Sequence, residues 1–378
     1  MVESIFPVGR PAGPDDVVDR EEFIGEAVER LWLGHDIVLA GPRRLGKSSV
    51  AGAILQRLGD RGAATASVDV FRAPTVLVLA TQLLEALARS RTGVRAEAAR
   101  SIRELGRYLS QARVSAKLHD LELGVALAEP KLSPEGLLEL ALATAERIGE
   151  HDGRRMVVVI DEFQDIRKMG GAELLKQIRA AIQHQQHTAY LFTGSQQHLM
   201  TELFAKPDAA FFRFAIPMHL PSIPWPAWEQ YLVHRLAAHG MTVSDSALTL
   251  LRERTGGHPH GVMVVMEAAL VHTTLGGRTA IRADDVWHGY GASLDGGTLG
   301  AIYAQEWAAL REYRHAAPAL WTIADGGEPY AGAASRSGVT AAIRLLEARG
   351  LIVTENRGHH QLVEPMLGAW LQDQVRHP

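Results

Sequence analysis

Between residues 41 and 50 the chain reads GPRRLGKSSV, which sets Gly41, Gly46, Lys47 and Ser48 at the spacing G-x-x-x-x-G-K-[ST]. A turn of this kind can cradle phosphate. Its backbone N–H groups converge on one anion at the start of a helix, where the helix dipole adds to the attraction. The stretch Gly41, Pro42, Arg43, Arg44, Leu45, Gly46, Lys47, Ser48 and Ser49 is therefore expected to hold the phosphates of ATP. Lys47 would reach the β- and γ-phosphates and Ser48 would ligate Mg2+. A metal held by a serine needs a carboxylate opposite it. Residues 154–166, RRMVVVIDEFQDI, supply one: the apolar run 156–160 delivers Asp161 and Glu162. Asp161 is expected to hold Mg2+ through water. Glu162 is expected to polarise the attacking water, which makes hydrolysis rather than mere binding the chemistry of the pair.

The elements that must carry these groups are legible as periodicities. HDIVLA, before the phosphate loop, reads as a short buried strand, and behind the loop Val50, Ile54 and Leu58 recur at helical spacing. AATASVDVF alternates as a strand, and TVLVLATQLLEALARS reads as a helix. Residues 187–197 form a buried strand ending in Thr193, Gly194, Ser195 and Gln196, and FRFAIPMHL is a fifth strand. Strands alternating with helices predict an α/β fold, a P-loop NTPase core with a parallel sheet over residues 1–220.

Beyond Pro221 the proline- and tryptophan-rich LPSIPWPAW marks a boundary. Helices without strands are expected over 227–239, 244–254 and 260–273, a helical lid occupying 221–290. Within it, TGGHPHG reads as a helix–helix turn. A glycine-rich stretch from Gly289 to Gly300 is expected to separate the final module, 291–378. There two helices, a third capped by Ser335 or Ser337 and ending at Gly350, and a hairpin about Gly358 make the pattern of a winged helix-turn-helix.

Composition fits a nucleotide enzyme and narrows the partners. The 378 residues are 47% hydrophobic, ample for packed cores, and carry a net charge of -4, with no global pull toward nucleic acid. No run approaches the roughly 18 apolar residues that span a bilayer, and MVESIFPVGR lacks a basic, apolar leader, so a cytoplasmic chain without membrane insertion is expected. The absence of cysteine excludes disulfides and thiolate metal sites. His184 and His187, His258 and His260, and His359 and His360 have no carboxylates at ligand spacing, so they read as solvated or core histidines. From Arg89 to Lys117 there are 8 basic residues opposed only by Glu97 and Glu104, with Arg100, Arg103 and Arg107 on one helical face. That stripe would suit a phosphate backbone or an acidic partner as well as a solvated face. Over residues 305–378, by contrast, 7 arginines and lysines meet 8 acids.

The order DREEF, GPRRLGKSS, VVVIDEFQDI, FTGSQQ, TGGHP and a terminal VEPMLGAWL resembles the archaeal-type AAA-like ATPases of the STAND class, close in plan to origin-recognition ATPases. The resemblance covers nearly the whole chain. It implies that Ser195 stands at the sensor-1 position, that Arg213 occupies a place where relatives carry an arginine finger, and that Gly257 to Pro259 is the G-x-P motif near the adenine. Asp19-Arg20-Glu21 replaces the usual Gly-Arg-Glu, and His258 or His260 stands where origin-type relatives carry a sensor-2 arginine. The expected function is an ATP-dependent switch that oligomerises in its ATP state and signals to a protein partner. The alternative is a DNA-associated ATPase that grips duplex DNA with the winged helix.

Overall fold

Apolar runs too short for helices pair into one parallel sheet. In the computed structural model, which describes residues 5–90, 133–356 and 358–376, five strands are joined: β1 (Ile37–Ala40), β2 (Ala64–Asp69), β3 (Met156–Asp161), β4 (Thr188–Gly194) and β5 (Ile216–His219). Their order is β2-β3-β4-β1-β5. Alternate side chains serve the two faces. Ile37, Leu39, Val157, Val159 and Leu191 pack on α1 (Glu21–Trp32) and α2 (Lys47–Asp60). Val38, Val158, Ile160, Tyr190 and Phe192 pack on α3 (Val76–Arg89), α4 (Pro134–Asp152), α5 (Arg167–Ile182) and α6 (Gln197–Phe204). Because helices cover both faces, β3 is apolar from Met156 to Ile160 and β4 is buried along its whole length. The carboxyl ends of β1, β3 and β4 lie side by side, so the phosphate loop, the acid pair and Ser195 emerge at one edge.

The second half of the chain is helical: α7 (Trp225–Ala237), α8 (Asp245–Thr255), α9 (Pro259–Leu275), α10 (Ala283–Leu294), α11 (Thr298–Leu310), α12 (Ala316–Ala324) and α13 (Arg336–Ala348). An antiparallel hairpin of β8 (Ile352–Asn356) and β9 (His359–Leu362) follows, then α14 (Pro365–Arg376). Ser335, not Ser337, caps α13 by accepting from the Gly338 N–H. Two expectations are corrected. The lid is not free of strands: β6 (Thr242–Val243) and β7 (Ala280–Ile281) form a two-residue parallel pair, too short to leave a periodicity. Nor is 289–300 mainly a spacer, since most of it lies within α10 and α11. A Cβ on Gly289 would stand 2.7 Å from the Ala269 nitrogen and the Val265 oxygen, so this glycine lets α10 lie close against α9.

One apolar cluster unites this half. It contains Trp228 and Leu232 of α7, Val265 of α9 and Trp370 of α14, together with Phe6 and Val18 from the start of the chain. The segments 221–290 and 291–378 thus share a core, and Phe6 belongs to it rather than to the sheet. The arginines 100, 103 and 107 of the basic stripe lie outside the described residues. Among the described residues no helix is long and apolar enough to cross a membrane.

Candidate functional site

The phosphate loop closes on its own lysine. Gly46, at φ 91°, starts α2, and the buried Lys47 Nζ donates to the carbonyls of Gly41 at 2.8 Å and Pro42 at 2.5 Å. A third ammonium proton remains for an anion. Burial pushes the Lys47 ammonium down to about 8, against the pull of the Glu162 and Asp161 charges. The charged form is the one that holds phosphate. Binding should therefore be independent of pH below 8, and above it should require proton uptake and weaken by up to about tenfold per pH unit. Calorimetric titration with Mg-ADP between pH 6.5 and 9.5 checks this.

Facing the lysine, the acid pair is divided in two by its hydrogen bonds. Asp161 Oδ2 accepts from the Ser48 hydroxyl at 2.9 Å, while Oδ1 accepts from the Thr193 hydroxyl and from the Glu162 N–H. The Ser48 and Asp161 oxygens are hard donors already on one spot, a set that fits Mg2+. Glu162 sits in a left-handed conformation, φ 51°, that turns its side chain back over the end of β4. Its Oε2 accepts from the Ser195 hydroxyl at 2.7 Å, from the Ser195 N–H and from the Gln164 amide. One carboxylate oxygen is anchored, which leaves Oε1 to accept from a water.

These groups line a single cleft of about 620 Å3 between the sheet edge and the helical half. That is within the usual size of a small-ligand site. Of the nine phosphate-loop residues expected from the sequence, Arg43 to Ser49 line it, while Gly41 and Pro42 serve through the carbonyls that hold Lys47. The Ser49 hydroxyl is engaged elsewhere: it accepts from the Ala12 N–H and ties down the N-terminal segment. Pro259, in the first turn of α9, lines the opposite wall with Trp228 and Met263. Arg213 does not reach the cleft. It is exposed, at φ 53°, with its guanidinium 5.0 Å from the Phe212 ring.

Several residues here were missed by sequence reasoning. Thr193 and Gln164 orient the acid pair, and Gly194 makes room, since a Cβ there would strike Gln164 Oε1 and Met200. Asp69 pairs in register with Asp161, and burial followed by the Asp161 charge raises its carboxyl. Polar residues ending buried strands were the available signal. Arg20 is buried against the cleft with Nη1 unpartnered. His258, also buried and without partners for either ring nitrogen, is pushed down to about 4 by desolvation and is neutral at pH 7.

Two carboxylates of the helical half meet the phosphate loop. Glu364, just before α14, accepts from Arg44 Nη1 at 2.5 Å and from the Tyr303 hydroxyl at 2.8 Å. His260 Nδ1 stands 3.8 Å away, too far for a hydrogen bond but close enough to feel the charge. Burial raises the Glu364 carboxyl, but His260, Arg44, His258 and Tyr303 outweigh it and hold it at about 2. Glu306 lies 3.7 Å from Arg43 and 3.2 Å from Arg349.

A parallel sheet, a phosphate loop after β1, an acid pair after β3 and a helical half over the cleft together define a P-loop NTPase of the Walker type in fold. The chain is similar to the Walker-type ATPase of Pyrococcus abyssi, with a TM-score of 0.70 at 19% identity over 97% of this chain and 99% of that one. It is also similar to the Aeropyrum pernix ORC2 protein in its ADPNP–ADP complexes, with a TM-score of 0.56 at 14% identity over 98% and 99% of the two chains. A third likeness is to the Aeropyrum pernix ORC1 protein in complex with DNA, at 0.50 and 17% over 96% and 94%. No protein-family model matches the sequence, and no curated protein matches it.

Proposed function

We propose that the chain is an ATP-hydrolysing molecular switch. The observation that carries this reading is the division of labour in the acid pair: Asp161 shares a spot with Ser48, while Glu162 is held beside Ser195 with one oxygen left for a water. A scaffold that only bound nucleotide would not need the second carboxylate so held. Lys47 and the loop amides bind the phosphates, Ser48 and Asp161 hold Mg2+, Glu162 takes the proton of the attacking water, and Ser195 positions Glu162. Bound Mg2+ supplies neutralisation of the charge that builds on the β- and γ-oxygens. Pro259, Trp228 and Met263 form a wall that suits the adenine. Arg213 serves a neighbouring copy in an ATP-bound oligomer, a role its exposure supports. The helical half carries the change of state to a protein partner.

The second reading, a DNA-associated ATPase, is favoured by the likeness to a protein solved with DNA and by the exposure of Arg336 and Arg344 on α13. Here the third helix and hairpin would act as a winged helix. Against it, Arg349 is already paired with Glu306 and lies over Tyr313. Phosphate release from Mg-ATP, with and without duplex DNA at physiological salt, separates the readings. Steady release that DNA leaves unchanged is the expected result. No release would remove the switch reading, and several-fold stimulation by DNA that disappears in Arg344→Ala would replace it with the second.

A further inference from the structure

Arg44 occupies the place in the phosphate loop where the chain turns into the left-handed region, with φ 63°. That turn is ordinary for glycine and unfavourable for arginine, whose Cβ crowds the backbone. Gly46, two residues on, meets the same demand with the residue type that suits it, at φ 91°. Something outside the loop must therefore make the arginine conformation the preferred one.

The counterweight comes from the far end of the chain. The Arg44 guanidinium is gripped by Glu364, 320 residues away in sequence, and both side chains are largely shielded from water, at 26% and 12% exposure. Glu364 is itself fixed by the Tyr303 hydroxyl from α11. The helical half also comes close to the neighbouring residue. The turn after α13 reaches the loop at Gly350, where a Cβ would lie 3.6 Å from the Arg43 nitrogen and from the Ser195 carbonyl oxygen. The loop is thus clamped from the helical half and not only from the strand and helix that flank it.

We propose that Glu364 is a positioning residue for nucleotide binding: by holding the Arg44 side chain it keeps the phosphate loop in its left-handed, binding-competent form. This rests on the nucleotide reading above. It also makes the C-terminal helices part of the ATP site, because any movement that withdraws Glu364 relaxes the loop. Without the clamp the competent fraction of loops falls, and the apparent affinity falls with it.

The test is a cycle of variants titrated with Mg-ADP by calorimetry, so that turnover plays no part. Glu364→Ala is expected to weaken binding about tenfold, the scale set by the cost of a left-handed arginine. Glu364→Gln keeps the side-chain volume and can still accept from Tyr303, and should reproduce most of the loss if the alanine protein does not fold. Arg44→Gly, free to adopt the turn, removes the guanidinium that Glu364 holds and supplies the second background of the cycle. In the Arg44→Gly background, Glu364→Ala should change affinity by less than about twofold, although the docking contact is lost just the same. An equal loss in both backgrounds would make Glu364 a docking residue only. A large loss in Arg44→Gly alone would make the guanidinium a direct phosphate ligand. Either result, or parental affinity in both Glu364 variants, overturns the proposal. A parent that binds Mg-ADP no better than Lys47→Ala defeats instead the nucleotide reading beneath it.

Discussion

Lys47→Ala is expected to lower the affinity for Mg-ATP and Mg-ADP by roughly 10^2- to 10^3-fold, the scale for truncating one partner of a buried charge pair. The lysine is 6% exposed and folds the loop around its ammonium through the Gly41 and Pro42 carbonyls. Its removal withdraws the cation that meets the β- and γ-phosphates and leaves those carbonyls without their donor. Isothermal titration against the parent measures the loss, and a loss under about tenfold would remove Lys47 from the phosphate site. The same protein tests Arg213. A neighbour-supplied arginine can be worth on the order of 10^3 in rate. Mixing Arg213→Ala with Lys47→Ala should restore part of the phosphate release, because one chain keeps an intact cleft and the other lends its arginine. No recovery in a mixture shown to co-assemble would confine Arg213 to the surface of its own chain.

Glu162→Gln is expected to bind Mg-ATP like the parent and to release phosphate roughly 10^2- to 10^4-fold more slowly, the contribution of a positioned general base. The amide oxygen can still accept from the Ser195 hydroxyl, so the strained turn at φ 51° and the arrangement of the end of β4 are retained. What is lost is the basic oxygen. Single-turnover phosphate release beside calorimetry separates the two quantities. Hydrolysis at the parental rate would assign the base elsewhere, and Asp69, a carboxyl raised by burial beside Asp161, is the next candidate to replace.

The chemistry was legible where it is local. A phosphate loop is eight consecutive residues, and its requirements of small turn residues, a lysine and a hydroxyl are met by residue type alone. The acid pair was legible because β3 is apolar on both faces and stops abruptly at Asp161. β1 and β4 followed from buried runs of the same kind, and β2 from its alternation. The lid helices were placed to within about two residues, since Pro224 and Pro259 fall at helix starts where proline is tolerated. Glycine misled at 289, because close packing of two helices and flexible separation ask for the same residue. The two-residue strands β6 and β7 carry no period to detect. The grip of Glu364 on Arg44 was out of reach altogether: an ion pair spanning 320 residues leaves no pattern in either segment. Neither did the sequence show that Phe6 would abandon the sheet for the core of the helical half.

That last placement bears on the order in which the protein can assemble on the ribosome. Phe6 is fully buried among side chains of the helical half, the Tyr231 hydroxyl donates to Asp16 across 215 residues, and Arg235 donates to the Ile5 carbonyl across 230. At about 5–20 residues per second, the first segment waits on the order of 10–40 s for those partners to be made. All five sheet strands are complete by His219, before any of α7 has been translated. The sheet and its acid pair can therefore form while the segment that carries Phe6 is still unpartnered, and the wall of the cleft that this segment shares with Trp228 and Met263 closes last.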